Sequence, residues 1–254
     1  MQFSIIIPTL NEVSFLGCLL EDLVAQEYQD FEVVHVDGKS EDGTCKIAES
    51  YRNRLALRTI TSTRRNLSYQ RNFGADDAQG QYLIFIDADI RIPRKSFLND
   101  IAKEVEKTQS LIYFPKVKVK KKDIMLKVMW ELYNASVELS KKSKAPIPTS
   151  GMFIIEKRFF MQLGKYRVTL KHDNNILFAE DQDILRRAKK MGVVGKTIPN
   201  VSYHMSLRRF ENEGLLKTGS KMTLSVVEQL LNKQFVQHHE MGGHLYKDVD
   251  DSRK

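Results

Sequence analysis

The sequence predicts an α/β fold: a Rossmann-like, mostly parallel central sheet with helices on both faces, followed by a C-terminal helical extension. Three observations carry this. The first ninety residues alternate between short apolar runs and segments whose apolar residues recur at helical spacing. Strands separated by helices require right-handed crossovers, which make a parallel sheet covered on both faces. With 42% apolar residues, the 254-residue chain can bury a sizeable core.

Taken in order, Phe3–Ile7 is an apolar run ending at Pro8 and reads as a buried strand. Leu16, Leu19, Leu20, Leu23 and Val24 then repeat as a helix, with Asn11 as its expected cap. Phe31–Val36 is a second strand, followed by the turn-rich stretch Asp37–Gly43, and Thr44 opens a second helix. Leu55–Ile60 reads as strand, Ser68–Ala78 as helix and Tyr82–Ile86 as strand. Beyond residue 92 the pattern changes: helix over Lys95–Lys107, strand over Ser110–Lys120, and a long amphipathic helix over Asp123–Lys142 carrying Ile124, Val128, Leu132, Ala135 and Leu139. Met152–Glu156 reads as strand and Asp181–Met191 as helix. The expected organisation is one catalytic domain over 1–205, with a nucleotide-binding half to about residue 92 and an acceptor half from 93, then a helical extension over 206–254.

Composition narrows the function. A net charge of +8 and a pI near 9.3 favour anionic partners such as nucleotide phosphates or an acidic lipid surface. No nucleic-acid module is recognisable, so nucleic acid is not an expected partner. Two cysteines, Cys18 and Cys45, make no metal spacing and no disulfide framework, which fits a cytoplasmic protein. Cys18 is expected to be buried in its helix. No basic leader or long apolar stretch is present, so any membrane attachment is expected to be peripheral, at the inner face.

Ligands of parallel sheets bind beyond the carboxyl ends of the strands. That directs attention to Pro8–Glu12, Asp37–Gly43 and Asp87–Arg91. Asp87-Ala88-Asp89 follows the apolar run Tyr82–Ile86. Residues i and i+2 of an extended chain point the same way, so both carboxylates can face one ligand. A hard cation such as Mg²⁺ or Mn²⁺ takes one or two carboxylates and completes its shell with phosphate and water, which makes a diphosphate the natural partner. The plainer alternative is a solvated acidic turn. Asp37 ends a buried strand beside glycines that let backbone approach a ligand, although an ordinary turn would look the same. Glu180 and Asp181 open a helix, where negative charge is favoured; they are either simple helix-start acids or a general base for a hydroxyl.

These stretches, FSIIIPTLNE (3–12), VDGKSEDGT (36–44), QRNFG (70–74), GQYLIFIDADIRI (80–92), SGMF (150–153) and EDQDIL (180–185), resemble in kind and order the family-2 glycosyltransferases of the GT-A fold. The resemblance implies an inverting transfer of a sugar from a nucleotide-diphosphate donor to an acceptor hydroxyl or phosphate on a glycan, lipid or small molecule. It implies that Pro8, Thr9 and Glu12 line the nucleotide pocket and that Asp37 bonds the nucleobase. Arg71 would lie near the base or phosphates, Asp87 at the ribose or supporting the metal, and Asp89 on the metal. Asp181 would be the base, with Glu180 assisting, and Gly151 and Met152 would lie by a sugar. The second motif has Asp-Gly-Lys where many members have Asp-Asp-Gly-Ser, and Gln182 and Asp183 leave the register of the base open by one or two positions.

His204 is a candidate metal ligand, or an ordinary structural histidine. Arg208 and Arg209 offer guanidinium forks for a diphosphate, or form a solvated basic face. Lys116–Lys122 reads as a lysine-protected edge strand or as a contact for anionic lipid, alone or with the following helix. His238, His239 and His244 read as a polar tail. Two rival functions fit the sequence less well. A sugar nucleotidyltransferase would need a glycine-rich phosphate loop where the chain has Pro8–Glu12; a non-catalytic binding module would not need the paired acids.

Overall fold

The apolar runs fall where a parallel sheet needs them. A computed structural model describes residues 1–119, 124–143, 146–149, 151–168, 180–206 and 208, and the backbone of 171–172 and 175–176. Its elements are β1 (Phe3–Thr9), α1 (Val13–Val24), β2 (Phe31–Asp37), α2 (Thr44–Ser50), β3 (Leu57–Thr61), α3 (Leu67–Asp77), β4 (Tyr82–Ile86), α4 (Phe97–Thr108), β5 (Ile112–Lys118), α5 (Ile124–Ser140), β6 (Met152–Glu156), α6 (Lys157–Gln162), β7 (Lys171–His172), β8 (Asn175–Ile176), α7 (Glu180–Lys190) and β9 (Lys196–His204). The main sheet has the order β3-β2-β1-β4-β6-β5-β9, and β7 pairs with β8 apart from it. Strands β3, β2, β1 and β4 are parallel; β6 is antiparallel to both β4 and β5, and β5 is parallel to β9.

Every residue of β1, β2 and β4 is buried, because helices cover both faces. Alternate residues therefore feed two cores. Phe3, Ile5, Ile7, Ile84 and Ile86 pack against α1 and α4, whereas Ile6, Val36, Leu83, Phe85 and Phe153 pack towards α3, α6 and α7. Gly74 makes the second packing possible: a Cβ there would lie 2.7 Å from Ile6 Cγ2 and 2.8 Å from Val36 Cγ2. The helix thus rests directly on β1 and β2.

Several local expectations change. Asn11 does not cap α1. It adopts φ 58°, and its side-chain oxygen accepts from the Glu41 N–H instead. The α1 N-terminus is served from a distance by Asp42, whose carboxylate accepts from the Val13 N–H at 3.1 Å. Cys18 is exposed rather than buried, because it faces away from the Leu16, Leu19, Leu20 and Leu23 row; both cysteines are free. On α5 the row Ile124, Val128, Leu132, Leu139 faces solvent, and Leu126, Trp130 and Val137 face inward. Strand β9 escaped the sequence reading because Pro199 interrupts its pattern; it pairs with β5 through a register shift between Pro115 and Lys116. The expected helical extension lies outside the described residues apart from Ser206 and Arg208.

His35 is fully buried on β2, with Nε2 2.8 Å from Thr9 Oγ1 on β1 and Nδ1 3.2 Å from Thr59 Oγ1 on β3. Burial lowers its pKa from 6.5 to about 4, with Asp37 opposing. The unfolded chain therefore takes up a proton first as pH falls. The histidine's share of stability is complete above pH 6.5 and is lost on acidification towards pH 4.

Two outcomes are expected. Replacing His35 with Gln flattens the fall of unfolding free energy across that acidic window, by up to about 3 kcal/mol, measured by urea titration at several pH values. Gly74→Ala lowers stability by about 1–3 kcal/mol, measured as a drop in Tm, because the new methyl has no room against Ile6 and Val36.

Candidate functional site

The carboxyl ends of β1, β2 and β4 meet at one edge of the sheet, and the predicted acidic residues gather there. Asp87 and Asp89 follow β4. The Asp87 N–H donates to the Gly151 carbonyl at 3.0 Å. Gly151 has φ +79°, and a Cβ on it would lie 2.9 Å from Ile90 Cδ1 and 3.5 Å from Asp87 Oδ2, so a side chain would crowd the crevice. The segment after Asp89 is anchored from behind: Asp22 on α1 accepts from Arg91 Nε and Nη2 and from the Ile92 N–H, each at 2.7 Å.

Arg71 stands at the centre. Its side chain is 5% exposed, and it contacts Asp87 Oδ1 at 3.0 Å, Glu180 Oε1 at 3.0 Å and Asp181 Oδ1 at 3.3 Å. Its guanidinium carbon lies 5.5 Å from the centre of the Tyr166 ring, and the Tyr166 hydroxyl donates to Asp181 Oδ1 at 2.8 Å. The sequence reading set Arg71 near the base or phosphates. In the structure three carboxylates engage it, because a buried guanidinium needs anionic partners. Burial opposes its charge, but Asp181 and Asp87 hold it firmly protonated. Desolvation raises Asp87 above the usual carboxylate range, Arg71 opposing and Asp89 and Asp181 adding repulsion. Burial likewise raises Glu180, with the charge of Asp181 adding to it.

The rest of the QRNFG stretch supports this arrangement. Gln70 donates to the Thr9 and Val36 carbonyls at 3.0 and 3.2 Å. Asn72 donates to the Tyr166 carbonyl at 2.7 Å and accepts from its N–H at 3.0 Å, holding the backbone that carries the ring. Tyr166 was not singled out from the sequence; nothing in Gly-Lys-Tyr-Arg marks it. On α7, Gln182 is buried and Asp183 is paired with Arg187 at 2.8 Å and Arg167 at 3.4 Å. Of the acids whose register was open, Asp181 is thus the one that meets Arg71 and Tyr166.

A second cluster lies across the crevice. Arg208 forks onto Glu12 at 3.0 and 3.2 Å, approaches Asp89 Oδ2 at 3.5 Å and sits 4.8 Å from the Phe15 ring centre. Desolvation raises the Glu12 pKa, with Arg208 opposing. Pro8, Thr9 and Asp37 form the floor: all are buried, Asp37 accepts from the Ser40 N–H at 3.0 Å, and Thr9 Oγ1 lies 3.4 Å from Asp37 Oδ1. The loops after β1 and β2 are laced together by the Asn11 N–H to Ser40 Oγ and the Glu12 N–H to Thr44 Oγ1, both at 2.9 Å.

Met152 and His204 both belong to strands of the main sheet. The Met152 side chain is 1% exposed and belongs to the core opposite Ile86, so only its backbone can border a sugar. His204 ends β9, where its backbone exchanges hydrogen bonds with Arg91 at 2.8 and 2.9 Å. Among the described residues, no group of three or more His, Cys, Asp or Glu is set to hold a metal ion. Arg209 lies outside them. Among the described residues, too, no helix is long and apolar enough to cross a membrane.

Comparison with known proteins agrees with this architecture. Poly(ribitol-phosphate) beta-N-acetylglucosaminyltransferase TarS of Staphylococcus aureus (strain MW2) is 32% identical over 189 residues, covering 71% of this chain and 30% of that protein. Cholesterol galactosyltransferase of Borreliella burgdorferi is 30% identical over 148 residues, covering 58% of this chain and 37% of that protein. The chain therefore spans 30–37% of the length of these curated relatives. Among solved structures, S. aureus TarS 1-349 in complex with UDP-GlcNAc matches with a TM-score of 0.60 at 23% identity, over 80% of this chain and 58% of that one. The mannosyltransferase PcManGT from Pyrobaculum calidifontis, in complex with GDP-Man and Mn²⁺, matches with a TM-score of 0.64 at 22% identity, over 81% and 57%. At that identity the solved structures speak for the fold. The Glycosyl transferase family 2 model matches residues 4–164, well over half the chain, and the protein belongs to that family.

Proposed function

We propose that this domain transfers a sugar from a nucleotide-diphosphate donor to an acceptor hydroxyl or phosphate, with inversion at the anomeric carbon. The observation that carries the reading is the convergence of Asp87, Glu180 and Asp181, from separate elements, on the buried Arg71. Glu12 and Asp89 meet at Arg208, at 3.0 and 3.5 Å, beside the same strand ends. Family membership and the nucleotide-sugar complexes of structurally similar proteins support it.

Asp181 is the proposed base. Its Oδ1 accepts from Tyr166 and from Arg71, and its second oxygen takes the acceptor proton in this reading. The attacking oxygen then reaches the anomeric carbon from the side opposite the diphosphate. Glu180 helps to orient the acceptor. Pro8, Thr9, Glu12 and Asp37 border the nucleoside, Asp87 supports the ribose side, Gly151 and the Met152 backbone border a sugar, and Arg208 receives the diphosphate.

A divalent cation, Mn²⁺ or Mg²⁺, suits the donor set. Glu12 and Asp89 already gather one positive charge, the Arg208 guanidinium, at 3.0–3.5 Å. Asp89 would hold the ion, with His204 a candidate further ligand and phosphate and water completing the shell. When bound, the ion neutralises the leaving diphosphate.

The discriminating measurement is a panel of UDP-, GDP- and dTDP-sugars with and without Mn²⁺, read by nucleotide release and by thermal shift. Asp181→Asn is expected to lower transfer by about 10²–10⁴-fold while nucleotide affinity is kept; wild-type turnover in that variant rejects the assignment. Asp89→Ala is expected to remove the dependence of nucleotide binding on the cation. Arg71→Ala leaves three carboxylates facing one another and is expected to cost about 3–5 kcal/mol of stability as well as activity, with Lys a poor substitute.

A further inference from the structure

The α5 helix presents apolar residues on two sides, and only one of them is used by the core. Leu126, Trp130 and Val137 are buried. On the other side Ile124, Val128, Leu132 and Leu139 are 77%, 53%, 67% and 68% exposed. At 100° per residue these four fall within an arc of about 80°, with Ala135 between them, so they form one continuous ridge. A core-packing helix would carry polar residues there.

The stretch of sequence that contains the ridge is basic. Residues 116–144 contain nine lysines against three acids, a net +6 out of +8 for the whole chain. Lys118 and Lys127 are exposed, and Lys120-Lys121-Lys122 directly precedes the helix in sequence. One of the acids, Glu138, is already paired with Lys141 at 2.6 Å.

We propose that α5 and its flanking lysines seat this domain on an anionic phospholipid bilayer. The aliphatic ridge enters the boundary between headgroups and acyl chains, and the lysines meet the lipid phosphates. A second copy of the chain fits less well. Pairing two ridges would bring two basic stretches together, each net +6 over residues 116–144, and like charges repel. On the inward side of the same helix the Tyr133 hydroxyl donates to the Pro148 carbonyl at 2.8 Å, so α5 is tied to the body of the domain. Taken with the transfer reading, on which this one step rests, seating the domain on a bilayer favours an acceptor whose polar head is anchored there by a lipid tail.

The test is co-sedimentation of the full chain with vesicles of phosphatidylcholine alone or with roughly one-third phosphatidylglycerol. The expected result is at least about tenfold stronger partition onto the anionic vesicles, lost when NaCl is raised from about 0.1 to about 0.5 M. A Val128→Glu/Leu132→Glu double variant is expected to lower that partition about tenfold or more at unchanged Tm, and Lys118→Glu/Lys127→Glu to lower it as well. Equal binding to both vesicle types, no binding to either, or unchanged partition of the two double variants overturns the proposal. So does a dimer in solution that Val128→Glu/Leu132→Glu converts to monomer, because the ridge is then a contact between copies. Nucleotide-sugar turnover with a soluble acceptor should persist in the Val128→Glu/Leu132→Glu variant, which separates failure of lipid binding from failure of the transfer reading.

Discussion

Carboxylates do not gather unaided. Two unit charges about 5 Å apart repel by about 3 kcal/mol at an effective dielectric near 20, and three carboxylates in one crevice multiply that cost. Arg71 removes it by contacting Asp87, Glu180 and Asp181 at once. The guanidinium reaches this point because α3 lies flat on β1 and β2, which Gly74 permits, and because Asn66 caps the helix by accepting from the Tyr69 N–H. Removal of either support displaces the charge on which the acidic crevice depends. The packing of the sheet and the chemistry of the site are therefore one problem.

The opposite wall follows the same logic with different parts. Glu12 and Asp89 come from loops after β1 and β4, and Arg208, after β9, holds them together. Asp22 braces the segment behind Asp89 through Arg91, and the loops after β1 and β2 are laced by Ser40, Asp42 and Thr44. Much of the VDGKSEDGT stretch therefore serves to hold the rim in shape. Asp37 is the member of it that lies in the floor.

Individual residues show what can be read from a sequence and what is hidden. The run Tyr82–Ile86 is apolar at every position because β4 is covered on both faces, and its limits could be read directly. The neighbouring Asp87-Ala88-Asp89 was legible for the same reason: polar residues at the end of a buried strand have few structural uses. Tyr166 was not legible. Its link to Asp181 depends on a loop brought across the crevice by Asn72, far away in sequence. The outward ridge of α5 was visible as a periodic pattern, but its direction was not, because Leu126, Trp130 and Val137 repeat with the same period on the other side.

Patterning along the chain was enough to read the alternation of strand and helix, the parallel strands β3, β2, β1 and β4, and which acids end buried strands. These follow from local periodicity and from the cost of burying a charge without a purpose. Which charges neutralise one another was settled by the folding of remote segments onto one another. Folding set Arg71 among three carboxylates and the Met152 side chain in the core. It also separated Asp181, beside Tyr166, from Asp183, bound to Arg187. Ion pairing depends on distances of a few ångströms between segments remote in the chain, and the spacing of residues along a sequence does not encode them.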